Sequence, residues 1–316
     1  MTMFYFVMQS AMFYTIPLMI VALGGLFSEK SGVVNIALEG KMIMGAFTGI
    51  LFIITFQDRL PGQPILILGL IVATGTGMLV SVLHAYAAIN LKANQIISGV
   101  AINMMAPAFA VYVSRLVVGT QVMQFRNEFR IDSVPGLSRI PIIGPILFQN
   151  TYFTTFLGFA ILVVAAFVLY KTKFGLRLRA CGEHPQAADS VGVSVVKMRY
   201  AGVLISGALA GIGGLIWVVP ISTAFMGAVN GYGFLALAVL IFAGWRPIRI
   251  IFASFFFGLM STIAVSFSVI GFLPNAIPAH FYNMAPFIAT LIVLAFTSKN
   301  TMAPKAVGQP YDKGGR

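Results

Sequence analysis

The chain has 316 residues, of which 59% are hydrophobic and only 9% are charged, against roughly a quarter charged in an ordinary soluble domain. This composition excludes a disordered chain, a collagen-like chain and a soluble enzyme with a conventional charged surface. The formal net charge is +12, but the basic residues lie between apolar runs, so we interpret them as topology determinants and expect no nucleic-acid partner. The single cysteine, Cys181, excludes a disulfide framework and a multi-thiolate metal site.

The apolar runs, taken in chain order, predict nine membrane-spanning helices, each near the length of about 20 residues that a bilayer requires. The expected spans are residues 9–27, 42–57, 64–90, 95–119, 152–170, 199–220, 233–244, 250–271 and 283–298. A polar interruption over 28–41 separates the first two. The predicted fold class is an all-α polytopic integral membrane protein with eight to ten spans, forming one domain over residues 1–316.

Basic residues orient these spans. They flank the connection 171–198, they include Arg246 and Arg249, and they recur in the tail 299–316. Alternating spans put all three clusters on one face, which the positive-inside rule makes cytoplasmic. We therefore expect the N-terminus outside and the C-terminus in the cytoplasm, with the mixed-charge segment 120–151 external. An even number of spans with the N-terminus inside stays open as the alternative.

The sequence holds no obvious energy source for transport. Proton- and sodium-coupled carriers usually keep carboxylates within their helices, whereas the acidic residues here fall in predicted loops, in the tail or, for Glu29 and Glu39, in the interruption. There is no G-x-x-x-x-G-K-[ST] loop to cradle ATP, no H-E-x-x-H motif, no cluster of metal ligands and no facing nucleophile and base. The sequence therefore predicts a non-enzymatic conduit that another subunit powers, without a cofactor of its own.

The connection 171–198 is the most polar internal stretch. Glu183 and Pro185 favour the start of a short helix, whose small apolar face ends at Gly192. Such a helix suits docking into a groove on a partner, although a solvated loop joining two spans is the alternative. The stretch resembles the cytoplasmic coupling loop of ABC transporter permeases of the ribose and simple-sugar branch, R-x-x-G-x-N-P-x-A-A-x-x-x-G, with His184 in place of the asparagine.

Three further blocks are similar to the nucleoside subgroup of that branch, whose members work with basic membrane proteins. They are Ser28–Gly40, Asn90–Ala106 and Gly231–Trp245. The resemblance implies a bacterial inner-membrane permease that pairs with a second, different permease, with an ATPase that binds ATP-Mg, and with an extracytoplasmic solute-binding protein. It also implies a set of residues that couple to the ATPase: Arg179, Gly182, Glu183, His184, Pro185, Ala187, Ala188, Asp189 and Gly192.

Polar and aromatic residues near the interruption and near a glycine-rich turn are candidates for the substrate path. They are Asn35, Glu39, Asn94, Gln95, Ser98, Asn103, Phe225 and Tyr232. A broken helix leaves backbone groups free to bind solute where it faces a water-filled cavity. The alternatives are that Asn35 and Asn103 only hold helices together, that Glu39 forms an ion pair with Lys41, and that the aromatic residues face lipid or the core.

A short repeat relates two segments that precede spans. Gly32-Val33-Val34-Asn35 echoes Gly227-Ala228-Val229-Asn230 from the opposite predicted face, as an inverted repeat would. Two pairs of glycines, Gly45 with Gly49 and Gly207 with Gly211, have the spacing that allows helices to pack closely in membranes.

The function expected from the residues and the resemblance together is that of the permease subunit of an ATP-driven nucleoside importer. Closure of the ATPase pair would push on residues 182–194 and rock the spans in alternating access. A permease for ribose-like or galactose-like sugars is the first alternative. A passive channel or a scaffold subunit, which needs no ATP, is the alternative from a different class.

Overall fold

The computed structural model describes residues 2–266, 284–292 and 303–313. Its helices are α1 (Thr2–Lys30), α2 (Leu38–Phe56), α3 (Gln63–Ala85), α4 (Gln95–Val118), α5 (Phe153–Lys171), α6 (Lys173–Glu183), α7 (Pro185–Ser190), α8 (Val195–Ile221), α9 (Tyr232–Phe242), α10 (Pro247–Ser266) and a further helix over 284–292. Its strands are β1 (Met123–Gln124), β2 (Arg130–Ser133), β3 (Gln149–Tyr152) and β4 (Ala224–Phe225).

Seven helices in the described part of the chain are long and apolar enough to cross a membrane. They are α1, α2, α3 with its continuation to Asn90, α4, α5, α8 and α10. They match seven predicted spans and confirm the all-α polytopic fold, but not the count of nine. Helix α9 has 11 residues and rises about 16 Å, roughly half of the ~30 Å hydrocarbon layer. The last predicted span, 283–298, reaches beyond the described residues.

The interruption is shorter than predicted, because α1 continues through Lys30 and only residues 31–37 leave the helix. Polar side chains at the end of α1 find partners inside the protein, so they do not force the helix to stop earlier. Ser28 Oγ donates to the carbonyl of Val33 at 2.8 Å. Glu29 Oε2 accepts the indole N–H of Trp245 at 2.5 Å.

Helix α8 lies at the centre of the bundle and meets its neighbours through glycines. A Cβ on Gly45 of α2 would lie 2.4 Å from the Cα of Gly211, and a Cβ on Gly77 of α3 would lie 2.1 Å from the carbonyl oxygen of Gly207. Only backbones without side chains approach this closely. The expectation that these glycines allow close helix packing is therefore confirmed.

The two ends of the bundle differ in the elements they carry. At the basic end, which we define by Lys30, Lys171 and Lys197, helices α1 and α5 finish and α8 begins. The opposite end holds the segment 120–151, whose short strands pair antiparallel, β1 with β4 and β2 with β3. This is the relative placement that alternating spans require; which end faces the cytoplasm stays a prediction.

Helices α4 and α5 form an apolar exterior. In their most apolar windows only 22% and 28% of the residues are buried, against 83% for α1 and 72% for α8. Apolar surface of this extent suits lipid or another membrane subunit rather than water.

Candidate functional site

Residues 31–37 lie between α1 and α2, and side chains from the neighbouring helices satisfy much of their backbone. The amide of Val34 donates to Gln95 Oε1 at 2.8 Å, and the carbonyl of Val34 lies 2.9 Å from His84 Nε2. A carbonyl only accepts, so in the neutral ring Nε2 carries the proton and Nδ1 accepts from the hydroxyl of Ser98, 3.0 Å away. These contacts allow a break inside an apolar bundle, where unpaired backbone groups are costly.

Asn103 of α4 holds both sides of the transition from this segment into α2. Its side-chain oxygen accepts from the amide of Gly40 at 2.7 Å, and its side-chain nitrogen donates to the carbonyl of Ile36 at 2.9 Å. At the start of the same helix, Asn94 acts as the N-cap and accepts from two amides of the first turn at 2.9 and 3.2 Å.

Asn35 and Lys41 form a buried polar chain with α8. Lys41 Nζ donates to Asn35 Oδ1 at 2.8 Å, and Asn35 Nδ2 donates to Ser206 Oγ at 2.6 Å. The side chain of Lys41 is fully buried, so its ammonium group has no access to water in this conformation. The expected ion pair between Lys41 and Glu39 is wrong, because the two side chains bond to different groups.

Glu39 binds the start of α9. Its carboxylate accepts from the amide of Gly231 at 2.8 Å and from the amide of Gly233 at 2.6 Å. These are free N–H groups of a helix N-terminus, where a carboxylate is favourable. Because Glu39 also lies in the first turn of α2, one buried carboxylate stabilises the N-termini of two helices.

A cavity of about 620 Å³ lies beside the start of α9. Gly231, Tyr232 and Leu235 form one wall of it. The lining has aromatic and small polar side chains, and among the described residues none that lines it is charged. Its other lining residues include Tyr14, Trp217, Ser222, Phe225, Asn230, Ser261 and Phe287.

Several aromatic rings line the cavity among aliphatic side chains. The rings of Trp217 and Tyr232 have centroids 5.1 Å apart, and Tyr14 stacks on Tyr232 with centroids 6.1 Å apart. Asn230 and Ser222 add hydrogen-bonding groups beside these rings. The arrangement can accept a flat, uncharged solute that also carries hydroxyl groups, since π-faces and amide or hydroxyl dipoles are the groups that it offers.

The predicted path residues divide into two groups. Phe225 and Tyr232 line the cavity. The other six hydrogen-bond within the protein. Gln95, Asn103, Asn94 and Glu39 bond to the backbone of the interruption or of helix starts, whereas Asn35 bonds to Lys41 and Ser206 and Ser98 bonds to His84. Two residues were not among the predicted path residues: Trp217, and His84, whose signal was a histidine within an apolar span.

The predicted coupling segment forms two helices at the basic end. The junction of α6 and α7 contacts the end of α1, because a Cβ on Gly182 would lie 2.3 Å from the carbonyl oxygen of Lys30. His184 is the N-cap residue of α7 and Pro185 occupies its first turn, as expected for a short helix. Gly192, with φ +81°, lies just after the helix.

The remaining predicted coupling residues divide between a buried and an exposed face. Ala188 packs with Cys181 and Val195, and burial raises the pKa of the Cys181 thiol. Ala187 is exposed, and Glu183 and Asp189 are partly exposed. The guanidinium carbon of Arg179 lies 5.2 Å from the ring centroid of Tyr170.

A bundle of apolar helices with an internal break, a half-length helix and an adjoining cavity is the architecture of a membrane transport protein. The chain belongs to the family described as the permease component of the branched-chain amino acid transport system, which matches residues 7–296. It is therefore an integral membrane protein. In the described part of the chain, no group of three or more His, Cys, Asp or Glu side chains could hold a metal ion.

Curated relatives match almost the full chain. It is 43% identical to the guanosine ABC transporter permease protein NupQ of Bacillus subtilis, over 98% of this chain and 97% of the relative. It is 41% identical to the nucleoside ABC transporter permease protein NupC of Lactococcus lactis, over 97% of this chain and 96% of the relative. The glucose ABC transporter permease protein TsgB13 of Haloferax volcanii is 24% identical, over 95% of this chain and 78% of the relative. No solved structure gives a significant match.

Proposed function

We propose that this chain is the membrane-spanning permease subunit of an ATP-driven importer for nucleosides. The observation that carries the proposal is its similarity, over nearly its whole length, to a guanosine permease and a nucleoside permease. The coupling-type loop and the block around the interruption, which resemble those of ABC transporter permeases, support the same function.

The cavity supports a nucleoside as the solute. Its volume of about 620 Å³ falls within the range of about 300–1,000 Å³ that is usual for small-molecule pockets. A nucleobase would stack on the ring of Trp217 or Tyr232. The ribose hydroxyls would bond to Asn230 and donate to Ser222 Oγ, whose own proton goes to the carbonyl of Ala224. The uncharged lining favours a neutral nucleoside over a phosphorylated one.

The proposal includes the partners that supply energy and solute. An ATPase binds ATP-Mg and hydrolyses it, since this chain has no phosphate-binding loop and acts as a transport subunit rather than an enzyme. A second, different permease and an extracytoplasmic solute-binding protein complete the importer. The ATPase docks on the coupling loop within 171–198, which places this loop and the tail 299–316 in the cytoplasm and the N-terminus outside.

In this mechanism the chain forms a single permease domain in the bacterial inner membrane. ATP-driven closure of the ATPase displaces α6 and α7, which contact the end of α1 through Gly182. Movement there reaches the interrupted segment 31–37, which follows α1 directly. The spans then rock, and the cavity opens alternately to the two sides.

The test is uptake in cells of the source organism that lack this gene. We expect uptake of labelled guanosine, adenosine or uridine to fall to background and to return when the gene is restored. Unchanged uptake of all nucleosides would overturn the proposal. Purified chain in liposomes should not transport nucleosides alone; unaided transport would favour the passive channel.

A sugar permease is the second candidate, because the chain also matches a glucose permease from Haloferax volcanii. The same deletion strain distinguishes the two. Loss of labelled ribose, galactose or glucose uptake with intact nucleoside uptake would replace the nucleoside assignment by the sugar assignment.

A further inference from the structure

Residues 303–313 lie against the basic end of the bundle, although they are far in sequence from the elements that they contact. The amide of Ala306 donates to the carbonyl of Gly182 at 2.9 Å, and the amide of Gly308 donates to the carbonyl of Gly32 at 3.2 Å. The first contact is with the coupling segment and the second is with the interruption. The two donor amides are only two residues apart. This short stretch therefore joins the two elements that the proposed mechanism requires to move together.

A third attachment is Arg199 of α8. Its Nη1 donates to the carbonyl of Gln309 at 2.9 Å, and its guanidinium carbon lies 5.9 Å from the ring centroid of Tyr311. The side chain is only 1% exposed, and its Nη2 would be 3.0 Å from a Cβ on Gly32. Arg199 is thus enclosed between the tail and the first residues of the interruption.

Two further contacts extend the attachment. Lys92, in the connection between α3 and α4, forms an ion pair with Asp312 at 3.1 Å. The ring of Tyr311 packs on the cluster formed by Cys181, Ala188 and Val195, which joins α6, α7 and α8. Pro304 and Ala306 are buried, so the segment is seated in the protein surface rather than lying loosely on it.

We propose that residues 303–313 form a coupling strap, which ties the ATPase-docking segment to the interruption between α1 and α2, with Arg199 as the positioning residue that seats it. The inference rests on the proposed function. With the strap in place, a displacement of the α6–α7 junction at Gly182 is passed to Gly32 through Ala306 and Gly308. Without it, the direct contacts of Gly182 with Lys30 and with the amide of Gly32 remain, but the two backbone hydrogen bonds through Ala306 and Gly308 are lost.

The strap therefore affects how much solute moves for each ATP consumed. Its loss leaves the exposed face of α7 available to the ATPase, so docking and ATP hydrolysis persist. The displacement of the α6–α7 junction is then transmitted less fully to the interruption. The expected signature is uncoupling: hydrolysis continues while uptake declines.

Three variants of the complete importer in proteoliposomes test this. The first lacks residues from 303 onward. The second, A306P with G308P, keeps the full length but removes both amide donors, and proline cannot adopt the φ of +79° at Gly308. The third is R199Q. The matched control is R59Q, which makes the same change at an exposed arginine in the connection between α2 and α3, away from the coupling segment and the strap.

The native Cys181 reports whether the strap is seated, since it is the single cysteine of the chain and is buried beside Tyr311. We expect maleimide labelling of Cys181 to be slow in wild type and R59Q, and at least fivefold faster in the truncated and double-proline variants. In those two and in R199Q, ATP hydrolysis should stay within twofold of wild type while nucleoside uptake per ATP falls at least fivefold.

If a variant labels rapidly at Cys181 but still takes up as much nucleoside per ATP as wild type, the proposed role of the strap is wrong. Should the truncated chain fail to assemble with its partners, the full-length double-proline variant decides by the same two measurements. Absence of ATP-dependent nucleoside uptake by the wild-type complex would contradict the proposed function instead, so the two failures are distinguishable.

Discussion

Gly233 lies against Glu39, and this contact joins two helices that begin almost two hundred positions apart in the chain. The amide of Gly233 donates to Glu39 Oε2 at 2.6 Å, and a Cβ on Gly233 would lie 2.3 Å from the amide nitrogen of Glu39. Each helix start follows a short non-helical segment that contains a glycine with positive φ, Gly32 before α2 and Gly227 before α9. The inverted repeat that would relate these two segments stays a prediction.

Substitution of Gly233 by alanine tests this close approach. The added methyl group overlaps the backbone of α2, so we expect a loss of about 1–3 kcal/mol in stability and a strong loss of uptake. The control is G75A in α3, where a Cβ meets nothing within 4 Å and alanine favours the helix by about 1 kcal/mol. Thermal unfolding of the purified protein measures both. A G233A protein as stable as G75A would contradict the contact.

Removal of one carboxylate oxygen at Glu39 tests the shared helix start. In E39Q the amide group keeps one acceptor but presents N–H groups to the other donor, so a buried N–H of Gly231 or Gly233 loses its partner. We expect a cost of about 1–3 kcal/mol in the free energy of unfolding, with reduced uptake. The control E128Q removes an exposed carboxylate at the opposite end and should change neither quantity. Equal thermal stability of the two variants would show that the carboxylate does not stabilise α9.

Much of this fold could be predicted from the sequence, because long apolar runs and the interruption near Asn35 are local signals. Depth is not local. The run 233–244 has the apolar character of a span, yet α9 begins inside the bundle, and only its contact with Glu39 reveals this. Asn103 was predicted to line the substrate path because it is polar. Its side chain instead pairs with backbone groups next to the interruption, which also require a polar partner. The face on which the tail lies was predicted, but its attachment to the bundle was not, since that attachment depends on the backbone carbonyls of Gly32 and Gly182.

The aromatic wall of the cavity gives a prediction about solute. Trp217→Ala removes a stacking surface worth about 1–3 kcal/mol per base in other base-binding proteins, so we expect nucleoside uptake to fall about tenfold or more. Trp217→Phe retains a π-face and should recover much of the activity. Phe167→Ala, on the exposed side of α5, is the control and should transport like wild type. Uptake by W217A equal to that of F167A would remove the cavity from the transport path.

The exposed face of α7 gives the last prediction, which concerns the ATPase. Ala187 is exposed whereas its neighbour Ala188 is buried against Cys181 and Val195, so an arginine at 187 changes the surface without entering the packed cluster. We expect A187R to fold with wild-type thermal stability, to lose most of the co-purifying ATPase, and to lose uptake in proportion. Ser133→Arg places the same charge on an exposed site at the opposite end and should retain both. A fully assembled, active A187R complex would mean that the ATPase docks elsewhere on the basic end.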